Sequence, residues 1–271
     1  MSKGPRDITH SSDALHDVPR YAGYGSGVFR RRIRLRQFEG GVSAELEDSS
    51  HGFKTKLQHD GHVVTAVQAE AIRYPMTTCP GALEPLQRFV GLPLNMTAAE
   101  IANQINPRQQ CTHLFDLTVL AYGQLQREES QRVYDMQMAD EAGSVSDLEV
   151  FCNGEKVLSW RVQQWQLQAP AAVAEKTLST GFSRWMEALY GDDEQQKEYA
   201  WLAQKAYLVA QARIYDVNKL AGTRRFMDPK MTDICHTYSK SQRASAIHTE
   251  NNFIDFSEAP EQLLKFVGAT E

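Results

Sequence analysis

The chain has 271 residues, 42% hydrophobic and 23% charged, the make-up of an ordinary globular protein long enough to bury a core without disulfides or a structural metal. A formal net charge of -5 argues against a general nucleic-acid binder, and no apolar run is long enough to span a membrane. Met1 to Pro19 has no signal-peptide pattern, and Cys79, Cys111, Cys152 and Cys235 are too scattered for a secreted disulfide framework, so a cytoplasmic location is expected.

Residues 1–27 are polar and end in Gly23-Tyr24-Gly25-Ser26-Gly27, which reads as an arm lying over the body. From Phe29 to Phe38, Arg30, Arg32, Arg34 and Arg36 alternate with Phe29, Ile33 and Leu35, the period-two pattern of a strand with one basic face. Strands are predicted over 42–47, 53–58 and 62–72, with Asp60-Gly61 as a hairpin turn. Pro80, Pro85 and Gly91 bracket a short helix near 83–90, and Thr97-Ala98-Ala99-Glu100 is a capping box for another that Asn106-Pro107 stops. A helix from Thr112 to about Glu129 closes a first α+β domain, residues 28–130.

Residues 131–271 form a second, aromatic-rich α+β region with C-terminal helices and a tail. Tyr134, Met136 and Met138 alternate with polar neighbours, Asn153-Gly154 marks a hairpin, and the strand after it runs from Val157 to Leu167. Helices are predicted near 177–190 and 192–220. The fold class is therefore α+β: antiparallel sheets with helices packed on one side, the strands-then-helices order occurring twice.

Chemistry concentrates at Cys111-Thr112-His113-Leu114-Phe115-Asp116, where Thr112 reads as an N-cap. The helix field there favours a thiolate at Cys111 and a neutral imidazole at His113. His51 at a strand start and Cys79 at the sheet-to-helix turn fall where three chain turns can converge. His51, Cys79, Cys111 and His113 suit zinc or iron by ligand type, although their spacing is no known finger pattern. The acid–base alternative uses His51 and His113 with Asp116 and Tyr74. Arg73, Arg34 and Arg213 are candidate anchors for an anionic group, and Trp160 for a flat ligand face.

Ala44-Glu45-Leu46-Glu47-Asp48-Ser49-Ser50-His51, Arg73-Tyr74-Pro75, Cys79-Pro80, Gly91-Leu92-Pro93-Leu94 and Cys111-Thr112-His113-Leu114-Phe115-Asp116-Leu117 resemble the bacterial domain of unknown function 2889. Tyr74 stands where members of that family often carry Trp. A more distant similarity is to U-type iron–sulfur scaffolds, with Cys79 and Cys111 at two cysteine positions and His51 near the first, but His113 follows its cysteine rather than preceding it. The first resemblance implies bacterial aromatic catabolism. The preferred function is thus a lyase or isomerase acting on a phenolic compound such as a lignin-derived dimer, with a small aromatic substrate, no cofactor, no nucleic-acid or membrane partner, and room for homo-oligomerisation. The alternatives are a metal or iron–sulfur carrier and a noncatalytic binder of a hydrophobic acid.

Overall fold

The computed structural model describes residues 18–224 and 232–267. Most of the arm expected over 1–27, and both ends of the tail expected over 231–271, lie outside that range. Strands β1 (Val28–Phe38), β2 (Gly41–Asp48), β3 (Gly52–His59) and β4 (Val64–Arg73) form one antiparallel meander. Strands β5 (Gln131–Ala139), β6 (Ser146–Cys152), β7 (Glu155–Gln163) and β8 (Gln166–Ala169) form a second. β1 and β5 pair antiparallel, so the two meanders are one eight-stranded sheet in the order β4-β3-β2-β1-β5-β6-β7-β8. The two regions read from the sequence share this sheet and one continuous hydrophobic core.

The alternation in β1 decides which side of the sheet is the core. Phe29, Ile33 and Leu35 are buried beneath the helices. Arg30, Arg32, Arg34 and Arg36 point to the other face, where neighbouring strands neutralise them. Arg32 meets Asp135 at 2.6 Å, Arg34 meets Glu45 at 2.5 Å, and Arg30 and Arg36 donate to Gln137 and Gln131. Arg34 is therefore held on the face turned away from the helices. The shallow hollow there, about 520 Å³, is lined by already paired charges.

Helix α1 (Ala98–Gln104) starts at Thr97 with both hydrogen bonds of the expected capping box. Helix α2 (Thr112–Gln124) buries Leu114, Leu117 and Ala121 against β1, β2 and β3. Its cap is Cys111 rather than Thr112, which is its first helical residue. The segment expected as a helix near 83–90 is a 3₁₀ run, Cys79–Phe89, because Pro80 and Pro85 remove two backbone donors. Helices α3 (Phe182–Tyr190) and α4 (Glu194–Ala210) cover the second half of the sheet, α4 lying on β5, β6 and β7. The long helix expected over 192–220 breaks after Ala210 into two short 3₁₀ turns.

The strand expected over Val157–Leu167 is two strands. Gln164 and Trp165 both adopt positive φ, 47° and 72°, and turn β7 back into β8. Asn153 and Gly154 make the expected hairpin with φ of 49° and 87°. The C-terminal segment then returns across the molecule: Ile254 N–H donates to Ser49 at 2.8 Å and Val28 N–H to Ser257 Oγ at 2.8 Å.

Candidate functional site

The site begins in the turn between β2 and β3, Asp48-Ser49-Ser50-His51. Asp48 ends β2 fully buried, and every donor around it converges on its carboxylate. Oδ1 accepts from the backbone N–H of Ser50 at 2.8 Å and of His51 at 3.0 Å, and lies 2.9 Å from His51 Nδ1. Oδ2 accepts from Arg31 Nε at 2.9 Å and Nη2 at 2.6 Å. Arg31 sits on the core-facing side of β1 between Phe29 and Ile33, a charge among apolar neighbours that only a partner of opposite sign makes tolerable. Burial alone would raise the Asp48 pKa, but the charges of His51 and Arg31 outweigh it and hold the carboxyl well below its ordinary value.

A carboxylate on Nδ1 fixes the tautomer of His51 and turns its Nε2 outward as an acceptor. The first turn of α2 brings His113 onto the same spot. Its ring stacks on that of His51 with centroids 3.8 Å apart and planes 24° apart, and Phe53 lies 5.9 Å from the His51 ring. Among the described residues, neither ring nitrogen of His113 nor Nε2 of His51 makes a hydrogen bond. Burial, then the charges of His51 and Arg31, hold the His113 pKa well below its ordinary value, so this imidazole is neutral near pH 7.

Asp116, one turn further along α2, faces Lys205 of α4 with Nζ 3.2 Å from its carboxylate. Burial raises the Asp116 pKa against the opposing pull of Lys205. This ion pair ties the helix of the first half to the helix of the second beside the histidines. Lys205 has no local motif to announce it.

The remaining candidates fall elsewhere. Arg73 is buried and committed: it pairs with Glu47 at 3.0 Å and donates to the backbone carbonyls of Asp48, Ser49 and Asn252. It therefore braces the turn carrying Asp48 and His51. Tyr74 is half-buried against the small cluster of Met76, Cys79 and Ala246. Arg213 is enclosed between Asp140 and Asp255, and Trp160 is core, its ring 5.8 Å from that of Trp185.

Cys79 and Cys111 are not activated. Burial pushes the Cys79 thiol up to about 11, with Sγ 3.4 Å from Thr237 Oγ1. Burial and the neighbouring Cys79 push the Cys111 thiol far above the ordinary thiol range, overriding the helix field expected to lower it. Among the described residues, the His, Cys, Asp and Glu side chains whose ligand atoms lie within 4.8 Å of one another are Asp48, His51 and His113. Cys79 and Cys111 do not belong to that group, so the structure brings His51 and His113 together without them.

Such a set can accept a proton at His51 Nε2, pass positive charge to a buried carboxylate, or hold a cation between two imidazoles. Asp48 suits the orienting role better than a ligand role, since both oxygens already accept hydrogen bonds. Arg31 and Asp48 escaped the sequence reading. The available signals were an arginine at an inward position of an apolar strand face and an Asp three residues before a His.

No curated protein matches the chain. A family model described as "Protein of unknown function (DUF2889)" matches residues 31–125, which include Arg31, Asp48, His51, Arg73, His113 and Asp116. The segment that builds the paired histidines and their carboxylate is thus the part of the chain that this family model matches.

Proposed function

We propose that the protein is a small-molecule enzyme, a lyase or isomerase of phenolic compounds, in which His51 is the general base. The observation that carries this reading is an imidazole whose Nδ1 is held 2.9 Å from a fully buried carboxylate while its Nε2 has no hydrogen-bond partner among the described residues. Asp48 already neutralises Arg31 and ties down the turn, so the feature that packing does not use is the free nitrogen of the imidazole it orients. When His51 takes a proton from a hydroxyl or an activated carbon, the imidazolium forms against Asp48, already ionised and oriented. His113 stays neutral and can donate its ring N–H to a developing oxyanion, while the proton taken up at His51 Nε2 is the one handed back to the product. Arg31 balances Asp48 and does not touch solvent, so it tunes the dyad rather than the substrate.

The test is incubation of the whole protein with a panel of phenolic compounds including lignin-derived dimers, read by mass spectrometry. Turnover by the wild type that drops about 100-fold or more in His51→Ala and in Asp48→Asn supports the reading. Absence of turnover across the panel overturns it.

A second reading is supported by the proximity of Asp48, His51 and His113. Two imidazoles are ligands that zinc or iron accepts, with Asp48 orienting the ring of His51, and a metal-bound water would then be the base. Stoichiometric metal in protein purified without chelator, lost in His113→Ala, supports this reading over the metal-free one.

A further inference from the structure

A cleft of about 480 Å³ lies at the start of α3, against one side of α4, and Lys205 is part of its wall. The same Lys205 reaches Asp116 at 3.2 Å, so the cleft adjoins the histidine site through one side chain. Its lining combines two cations, Lys205 and Arg184, with the indole of Trp201, the hydroxyl of Ser183 and the amide of Gln204. Lys205 Nζ stands 5.4 Å from the centre of the Trp201 ring. Arg184 is exposed and forms no ion pair among the described residues. The arginines lining the hollow on the opposite face of the sheet, Arg32, Arg34 and Arg36, each have a carboxylate or amide partner at hand.

We propose that this cleft binds a planar aromatic anion, a carboxylate or phenolate, with the ring against Trp201 and the charge between Arg184 and Lys205. A guanidinium and an ammonium lining the same cleft as an indole can recognise both parts of such a molecule. The planar fork of arginine takes a carboxylate in two hydrogen bonds, and the aromatic face rewards a flat ring over a saturated one. Lys205 exchanges or shares its Asp116 contact with the ligand, which couples occupancy of the cleft to the charge beside His113. This inference deepens the enzyme reading and rests on it only for the sense of binding, anionic end in the cleft and reacting end toward His51.

The experiment is isothermal titration of the whole protein with 4-hydroxybenzoate, with cyclohexanecarboxylate and benzamide as the saturated and neutral comparisons. The expected result is measurable binding of 4-hydroxybenzoate, at least about tenfold weaker binding of both comparisons, and a loss of about tenfold or more in Arg184→Gln and in Trp201→Leu. Arg184 is exposed, so its replacement leaves the fold intact. Absence of binding, or affinity unchanged in Arg184→Gln, overturns the proposal. Binding that follows this pattern without turnover of any phenolic compound leaves the cleft standing and removes the enzyme reading. Turnover whose KM is indifferent to Arg184→Gln does the reverse.

Discussion

At the scale of single residues, the site is an exercise in deciding which charges are buried together. Arg31 and Asp48 are buried as an ion pair whose hydrogen bonds, His51 Nδ1 among them, offset desolvation, while His113 lies outside that pair and stays neutral. The cysteines illustrate the opposite outcome. A thiol at a helix start gains from the helix field only if solvent can reach the thiolate, and Cys111 is 8% exposed within the main core. Native protein at about pH 8 should therefore leave Cys79, Cys111 and Cys152 unmodified by iodoacetamide, with all three alkylated once urea unfolds the chain. Peptide mass spectrometry reads both states, and rapid labelling of Cys111 in the folded protein would restore the nucleophile reading.

Secondary-structure elements were legible where turn chemistry and periodicity agree. The capping box at Thr97, the Asn153-Gly154 hairpin and the alternation in β1 all carry local signals that tertiary packing reinforces. The β7–β8 turn was not legible, because Gln164 and Trp165 take up positive φ without glycine or asparagine to announce it. The convergence of His51 with His113 could be anticipated from strand ends meeting helix starts, yet the bracing of that turn could not. Arg73 reaches it from the end of β4, and Ile254 of the returning C-terminal segment donates its N–H to Ser49. Arg73→Met should thus cost about 3 kcal/mol of stability in urea unfolding, because Glu47 is left buried without its cation. A cost under about 1 kcal/mol would mean that the turn holds itself.

At the scale of the molecule, a second buried arginine does for the termini what Arg73 does for the site. Arg213 pairs with Asp140 at 2.8 Å and with Asp255 at 3.0 Å, and Tyr21 donates to Asp255, joining the residues before β1, the end of β5 and the C-terminal segment. Burial would raise the Asp255 pKa, but hydrogen bonds from Arg213 and Ser257 bring it down to about 2. A depressed carboxyl pKa means that the unfolded chain binds more protons between its ordinary value, about 3.9, and the folded one. Stability is then present above about pH 4 and falls as the pH drops toward about 2. Asp255→Asn should lose about 2 kcal/mol at neutral pH and show a flatter decline in that window, followed by urea unfolding at stepped pH.

The pairing of β1 with β5 also has a consequence for the order in which the chain is made. On the ribosome, the first meander and α2 are complete before β5 exists, so one flank of β1 waits with its peptide groups unpaired. That flank belongs to a strand carrying arginine at every outward position from Arg30 to Arg36. Like charges stacked on one nascent strand repel a second copy of themselves, while Asp135 of β5 and Glu45 of β2 welcome them. The basic stripe thereby acts as a gatekeeper for the half-made protein, keeping the seam open for its own later half.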